Sequence, residues 1–186
     1  MSMVQALKLS ITHHQTRPEP DAKPFQLSSQ IWKGGPCIGG TLDVSQRGQI
    51  NGPVHWCMLN DLSADAPAPN EAEWDLEQIN PKDMLSPDGA AFLLVVAMSI
   101  APQVEEEFND WYETEHIPLL RQVPGVICGR RFKLRQVPHR YAAIYHMTGL
   151  EAYAAQPIWH TADTTPWIKR LRRYQIDRHY YMYQPD

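Results

Sequence analysis

The order of the elements predicted for residues 89–186 is the feature that most constrains the fold. Ala90–Ile100 is apolar on both faces, which is typical of a strand that is covered on both sides. Pro102 stands where a helix can begin, and the three glutamates at 105–107 favour the positive N-terminal end of that helix. Pro118 is expected to end the helix at the residue before it.

A hairpin, further helices and a last strand are predicted to follow. Side-chain character alternates in Val126–Arg135, and a Pro-His turn leads into a second strand at Tyr141–Met147. A threonine before Pro166 can cap another helix, and Tyr174–Tyr183 is an aromatic-rich strand. The order strand, helix, strand, strand, helix, strand is the split ferredoxin-like arrangement. Such a sheet has helices on one face only, so we expect a second sheet to cover the other face.

The first half of the chain is the candidate for that second sheet. Its predicted elements are a strand at Val4–Thr12, a strand or short helix at Phe25–Trp32, a hairpin of Gly39–Arg47 with Pro53–Leu62, and a short helix at Asn70–Ile79. The segments Pro53–Asn60 and His139–His146 are similar in character and surroundings, which indicates a degenerate internal repeat. We therefore predict an α+β fold with two ferredoxin-like halves, a degenerate one at residues 1–88 and a clearer one at residues 89–186.

Composition argues against several classes of function. The net charge of −4 disfavours nucleic acid as the main partner, and the basic run Lys169–Arg173 is interpreted as the solvated face of a helix. No apolar run approaches the roughly 18 residues of a membrane helix, and no secretory signal is evident. Cys37, Cys57 and Cys128 match neither a zinc spacing nor a disulfide framework, so we expect reduced cysteines in a cytoplasmic protein.

The strongest chemical signal is the aromatic and acidic helix that ends in His116. Imidazole titrates near neutrality, so His116 could move a proton, and the helix macrodipole is expected to favour its charged form. The alternative role is a histidine that caps the helix. Tyr112 shares the ridge of His116 and could donate a hydrogen bond to a developing oxyanion, or it could be a wall residue. Trp111 lies beside them, on a stripe that periodicity assigns to the core.

Further candidates lie on the predicted hairpin and after it. Arg130 shares a strand face with Phe132, and a guanidinium on an apolar face needs a partner. That partner could be a carboxylate or enolate of a substrate, or an acidic residue of the preceding helix. Tyr141 and Tyr145 share a face of the next strand and could form a pocket wall or core. His160 is predicted in a loop, as a second acid–base group, a lid residue or a solvated side chain.

Signals of metal or cofactor binding are absent from the sequence. No spacing among the eight histidines resembles a metal site. There is no phosphate loop, dinucleotide fingerprint or Gly-x-Ser-x-Gly elbow. We therefore expect neither a metal ion nor an organic cofactor.

The segment Phe92–Tyr183 resembles the EthD-like members of the dimeric α/β barrel superfamily. The residues that carry the resemblance are Trp111-Tyr112-x-x-Glu115-His116-Ile117-Pro118, Pro124-Gly125-Val126, Arg130-Arg131-Phe132, Tyr141-Ala142-Ala143-Ile144-Tyr145 and Thr165-Pro166-Trp167. The resemblance implies a ferredoxin-like sheet that pairs with another to close a barrel, within one chain or between two. The superfamily includes cofactor-independent monooxygenases, isomerases, cyclases and lyases, and also proteins without demonstrated catalysis, so the fold does not settle the function.

Together these observations predict a cofactor-independent lyase, isomerase or cyclase that acts on a small, apolar, aromatic or polyketide-like compound. His116 would move a proton, and Tyr112 or Arg130 would stabilise the resulting negative charge. The predicted substrate-binding residues are Trp111, Phe132, Tyr141, Tyr145 and His160. The alternatives are a cofactor-independent monooxygenase and a non-catalytic ligand-binding accessory protein. The expected partners are a small-molecule substrate and a second copy of the chain, with no nucleic acid and no membrane.

Overall fold

Among the described residues, eight antiparallel strands form one closed barrel. The computed structural model describes residues 6–19, 24–39, 44–68 and 74–185. The strands are β1 (Lys8–His14), β2 (Gln26–Pro36), β3 (His55–Leu62), β4 (Trp74–Asn80), β5 (Phe92–Ile100), β6 (Val126–Leu134), β7 (Arg140–Met147) and β8 (Gln175–Pro185). Around the barrel their order is β1-β3-β2-β8-β5-β7-β6-β4, and β4 pairs with β1 to close it. The barrel thus closes within one chain.

The helices that the structure describes lie mainly in the second half of the chain. They are α1 (Glu105–Trp111), α2 (Ile117–Leu120), α3 (Glu151–Ala154), α4 (Pro157–Ala162) and α5 (Pro166–Leu171). A π-helical turn at Tyr112–His116 joins α1 to α2. Short 3-10 turns occur at Val44–Gln46, Pro102–Val104 and Arg172–Tyr174. No helix among the described residues is long and apolar enough to cross a membrane.

Both halves of the chain arrange their four strands in the same order. Numbered within its own half, each sheet runs 4-1-3-2, as β4-β1-β3-β2 and as β8-β5-β7-β6. The prediction of an α+β fold with two ferredoxin-like halves is therefore confirmed. β3 and β7 are the third strands of their halves, which agrees with the internal similarity of their sequences. The boundary at residues 88 and 89 and the homodimer stay predictions.

The sheet of the second half separates two hydrophobic cores. Its inner face fills the barrel, with Leu93, Phe132 and Ile144 packed against residues of the first half such as Leu59 and Leu76. Its outer face packs against the helices, and this outer core is built from residues such as Leu94, Phe108, Trp111, Tyr145 and Ile168. Because side chains alternate along a strand, every second residue of β5 and β7 belongs to the outer core.

Two predictions for the first half are wrong. β3 pairs antiparallel with β1 and β2 and not with Gly39–Arg47, of which residues 40–43 lie outside the described residues. The glycines 34 and 35 are part of β2. A Cβ at Gly34 would overlap the carbonyl oxygen of Met182, so the missing side chain lets β2 approach β8 and join the two halves.

The second wrong prediction is the helix at Asn70–Ile79. Residues 69–73 lie outside the described residues, and the rest is β4, which pairs with β1 on one side and β6 on the other. Leu76 is fully buried in the barrel and Gln78 is buried at its end. Pairing with two strands from different parts of the chain outweighs the local propensity of these residues.

The helix that carries His116 does not end at Ile117, before Pro118, as the sequence predicted, but continues to Leu120. A proline inside an α-helix lacks the N–H and clashes with the carbonyl four residues earlier. Here the turn before Pro118 widens to a π-turn, in which the N–H of Ile117 donates to the carbonyl oxygen of Tyr112. Such single π-turns accommodate a local disruption and occur often at functional sites.

Candidate functional site

A small cavity lies between the outer face of the second sheet and the helices. Its volume is about 30 Å³. Its buried floor includes His116, Trp111, Tyr112, Tyr145 and Trp159. Its half-exposed mouth includes Asp163, Arg172, Arg178 and Tyr180. A volume of this size holds about one or two water molecules, so an aromatic ligand requires movement of the mouth side chains.

The π-turn places His116 between two aromatic rings. The ring centroid of His116 lies 4.4 Å from that of Trp111 and 5.1 Å from that of Tyr112. In a regular α-helix, side chains three and four residues apart are neighbours. The wider π-turn also brings together residues five apart, which is the separation of Trp111 and His116. The local backbone irregularity therefore determines the surroundings of the imidazole.

His116 is a buried, neutral imidazole. Burial lowers its pKa to about 3, and the charge of Arg131 also lowers it. A hydrogen bond to the backbone carbonyl of Ala162 has the opposite effect, which is smaller than that of burial. The prediction that the helix macrodipole would favour the charged form is wrong, because desolvation is the larger effect. Its Nδ1 is buried without a hydrogen-bond partner among the described residues. This nitrogen is available to accept a proton or a hydrogen bond from a ligand.

Arg131 supplies the positive charge beside this group. Its side chain is fully buried, and its guanidinium lies 4.0 Å from the ring centroid of Tyr112 and 5.2 Å from that of Tyr141. Nη2 donates to Oδ1 of Asn109 at 2.9 Å, while Nε and Nη1 have no partner in the described part of the chain. Burial lowers the pKa of Arg131. A cation held by rings, without a carboxylate, is suited to compensate a developing anion.

A chain of hydrogen bonds fixes Trp111. Its Nε1 donates to Oε1 of Glu115 at 2.9 Å, and the hydroxyl of Thr165 donates to the same oxygen at 2.6 Å. Thr165 also caps α5, since its hydroxyl accepts from the N–H of Ile168. The cap predicted for this helix is confirmed, and it links α5 to the aromatic floor of the cavity.

Arginines surround the single carboxylate at the mouth of the cavity. Oδ2 of Asp163 lies 3.9 Å from Nη1 of Arg47, and Nη2 of Arg172 donates to the backbone carbonyl of Asp163 at 2.7 Å. Burial raises the pKa of Asp163, against the lowering effect of Arg47, Arg172 and Arg178. Nε of Arg172 is buried without a hydrogen-bond partner among the residues with described placement. The mouth is therefore electropositive.

The sequence predicts that Arg130 stabilises the charge formed by His116 or pairs with an acidic residue of the preceding helix, but Arg130 occupies the opposite face of the sheet and does neither in this arrangement. Its Nη1 donates to Oδ1 of Asp61 at 2.7 Å inside the barrel, and its Nη2 donates to the hydroxyl of Ser86 at 2.6 Å. Asp61 also accepts from the hydroxyl of Ser28 at 2.6 Å. Both members of the ion pair are almost fully buried. The predicted need for a partner was correct, but the partner comes from the first half.

The other predicted site residues divide between the two faces. Tyr145 lines the cavity, and its buried hydroxyl has no hydrogen-bond partner in the described chain. Phe132 faces the barrel interior with Arg130, away from the cavity. Tyr141 lies on the outer face but donates to Oε1 of Glu105 at 2.6 Å, outside the cavity wall. His160 is in helix α4, not in a loop, and its Nδ1 lies 3.5 Å from Nη2 of Arg47 near the mouth.

Sequence reasoning missed Arg131, Asp163, Arg172 and Arg178. The alternation in β6 placed Arg131 correctly on the face opposite Arg130 and Phe132, but it could not show which face the helices cover. Arg172 belongs to the basic run predicted to be a solvated face, and only its neighbours Lys169, Arg170 and Arg173 are exposed. Arg172 lies in the 3-10 turn after α5, which directs it to the cavity.

Among the residues that the structure describes, no group of three or more His, Cys, Asp or Glu side chains is arranged to hold a metal ion.

Comparison with known proteins gives the fold and little more. No protein-family model matches the sequence. No curated protein is similar to it in sequence. Among solved structures, a candidate monooxygenase of Fusobacterium nucleatum superimposes with a TM-score of 0.62 at 6% identity, over 98% of this chain and 94% of the other.

Two further structures are similar over nearly the whole chain. An uncharacterised ferredoxin-fold protein of Listeria monocytogenes, related to antibiotic biosynthesis monooxygenases, has a TM-score of 0.62 at 9% identity, covering 98% of this chain and 95% of that one. A major regulator of staphylococcal pathogenesis has a TM-score of 0.60 at 9% identity, covering 97% and 99%. At 6–9% identity these similarities show the fold alone, which is the ferredoxin-like fold described above.

Proposed function

We propose that this protein is a cofactor-independent monooxygenase that uses His116 as a general base on a small aromatic compound with an acidic C–H. The observation that carries the proposal is the unpartnered Nδ1 of a neutral, buried imidazole at the wall of a cavity. A base of this kind accepts a proton only when an anion forms beside it, because an isolated imidazolium is unfavourable there.

The charge that forms is balanced from two sides. Nδ1 of His116 takes a proton from a methylene group next to a carbonyl or an aromatic ring, which leaves a delocalised carbanion. Arg131 stabilises the negative charge from behind the ring of Tyr112. The anion then adds O2 to give a peroxide, which takes the proton back from His116. Loss of water converts the methylene to a carbonyl group, so atoms and electrons balance without a further reductant.

Monooxygenase chemistry is preferred to the lyase, isomerase or cyclase alternative because two structurally similar proteins are a candidate monooxygenase and a relative of monooxygenases. Both outcomes begin with the same proton transfer. In an isomerase the carbanion would be reprotonated at another carbon, and no oxygen would be consumed. Membership of the EthD-like group and a homodimeric state remain parts of this proposal.

The test uses anthrone, which has an acidic methylene between two aromatic rings, and the smaller keto acid phenylpyruvate, whose methylene lies between an aromatic ring and a carbonyl group. Deuterium incorporation from D2O reports proton abstraction, and an oxygen electrode reports O2 consumption. We expect the intact protein to accelerate both with at least one compound. Replacement His116→Gln should reduce both rates by about 10²–10⁴-fold, the usual contribution of a general base.

The matched control is His146→Gln, since His146 is equally buried but faces the barrel interior. It should retain the activity. Equal rates for the intact protein and His116→Gln would contradict the proposal, as would the absence of both exchange and oxygen uptake with both compounds. Exchange without oxygen uptake would favour an isomerase or lyase.

A non-catalytic ligand-binding protein is the second candidate. The small cavity and the structural similarity to a regulator favour it. Tight binding of a compound that is recovered unchanged, with the same affinity for His116→Gln, would support this alternative.

A further inference from the structure

We propose that the ligand of this cavity carries a carboxylate, which Arg172 and Arg178 bind at the mouth while the rest of the molecule lies on the aromatic floor. The inference takes the cavity to be the substrate site of the proposed function, and it adds the chemical class of the substrate. It does not depend on which reaction His116 promotes.

The first argument is the charge balance of the mouth. Arg47, Arg172 and Arg178 all act electrostatically on Asp163, the single carboxylate among the residues that line the cavity. Asp163 already has an ion-pair contact with Arg47. In the described part of the chain, Arg172 and Arg178 make no salt bridge to any carboxylate. A mouth with an excess of positive charge next to an apolar cavity favours a negatively charged ligand.

The second argument is the state of the individual donors. Nε of Arg172 is buried and has no hydrogen-bond partner within the described residues, whereas Nη2 donates to a backbone carbonyl. Arg178 uses Nη1 on Oε1 of Gln175 at 3.0 Å. A buried donor without an acceptor is costly unless a ligand or water completes it. Guanidinium groups bind carboxylates with two parallel hydrogen bonds. The N–H groups of Arg172 and Arg178 that have no acceptor could therefore bind the carboxylate of a ligand.

The third argument is the arrangement of the cavity. Its polar mouth is half-exposed and its floor is built from Trp111, Tyr112 and Tyr145. A carboxylate at the mouth therefore directs the attached apolar group inward, toward the unpartnered Nδ1 of His116. The Arg178 and Tyr180 side chains at the mouth are only half-buried, and their displacement enlarges the space of about 30 Å³.

The experiment compares acids with their neutral amides. Acetate, benzoate and 2-naphthoate, and the corresponding amides, are titrated into the protein by calorimetry. At least one acid should bind about tenfold or more tightly than its amide. Arg172→Gln and Arg178→Gln should each remove about this factor for the acid and leave the affinity for the amide within about twofold.

The matched control is Arg173→Gln, since Arg173 is adjacent to Arg172 in sequence but exposed. It should bind every probe as the intact protein does. Thermal unfolding shows whether each variant has kept its fold. If Arg172→Gln does not fold, Arg178→Gln alone tests the proposal. The proposal is wrong if no acid binds more tightly than its amide, or if the preference survives both substitutions.

The outcome is separable from that of the proposed function. His116→Gln should keep the preference for the acid, because His116 does not contact the carboxylate in this arrangement. Loss of turnover in His116→Gln with an intact acid preference supports both proposals. Full turnover in His116→Gln together with a clear acid preference would contradict the catalytic proposal alone.

Discussion

Two adjacent arginines in β6 face opposite sides of one sheet and have opposite environments. Arg130 lies inside the barrel, where its Nη1 and Nη2 donate to Asp61, Ser86 and the carbonyl oxygen of Met84. Arg131 lies under the helices, where its contacts are Asn109 and the faces of three aromatic rings. Both side chains are fully buried.

The difference separates a stabilising network from a candidate functional one. A buried ion pair with further hydrogen bonds is costly to disrupt, because removal of one member leaves the other charge buried and unpaired. A buried cation without a carboxylate adds little to folding and can instead respond to a negative ligand. The barrel interior therefore contributes stability, and the outer cavity has the unsatisfied groups that binding requires.

Replacement of each arginine by methionine tests this comparison most directly. Arg130→Met should lower the free energy of unfolding by about 3–5 kcal/mol, because Asp61 loses its partner in the barrel. Arg131→Met should leave it within about 1 kcal/mol, because the lost ring contacts are offset by removal of an unpaired charge. Urea denaturation measures both. An equal loss in the two variants would contradict the division into a stabilising and a functional face.

The two buried histidines provide a second test through pH. Burial lowers the pKa of His116 and of His146 to about 3, whereas an unfolded histidine has a pKa near 6.5. Between these two pH values, each histidine is neutral in the folded state and protonated in the unfolded state. The unfolded state binds more protons in this window, and stability therefore falls as the pH is lowered from about 6.5 toward 3. Each histidine contributes a slope of up to about 1.4 kcal/mol per pH unit.

The measurement is the free energy of unfolding at several values between pH 4.5 and 6.5. This range lies above the lowered pKa of Asp61, which burial alone would raise but which Arg130, Ser28 and Ser86 lower. His116→Gln and His146→Gln should each reduce the slope of the unfolding free energy against pH by up to about 1.4 kcal/mol per pH unit, which corresponds to one proton. A slope that neither substitution changes would show that these imidazoles are accessible to protons in the folded protein.

The smallest predicted effect concerns Thr165, which shares a hydrogen-bond acceptor with Trp111 on the outer face of the sheet. Thr165→Ala removes the cap of α5 and the hydrogen bond to Glu115, and it should lower the stability by about 1 kcal/mol. The control is Thr161→Ala, an exposed threonine whose hydroxyl donates only within its own helix. Thr165→Ser should restore most of the loss. Equal effects at both positions would remove the special role of Thr165.

The sequence pattern of the second half predicted more of the observed secondary structure than the pattern of the first half did. The strands β5, β6, β7 and β8, the cap at Thr165 and the alternation that separates Arg130 from Arg131 follow from local patterns. For the first half, the sequence pattern predicted the wrong partner for β3 and a helix in place of β4. Strand pairing there depends on residues distant in sequence, and the close contact of Gly34 with β8 has no local signature.

The site was predicted in part for the same reason. Alternation and helical spacing grouped Trp111, Tyr112 and His116, and these do line one cavity. Spacing could not show that a π-turn precedes Pro118 or that burial neutralises His116. It also could not place Asp163, Arg172 and Arg178 around the same cavity, since these residues belong to three different elements, the end of α4, the 3-10 turn after α5 and β8.

The amino-acid sequence by itself determined the order of elements in the second half, the α+β class and the face that each strand residue of that half shares, because periodicity and capping act over a few residues. Only the tertiary structure decided that the barrel closes within the chain and which face of the sheet the helices cover. It also decided that one of two neighbouring arginines has a carboxylate partner and that the other has none among the described residues. These outcomes depend on contacts between distant segments and on desolvation, which no local pattern contains.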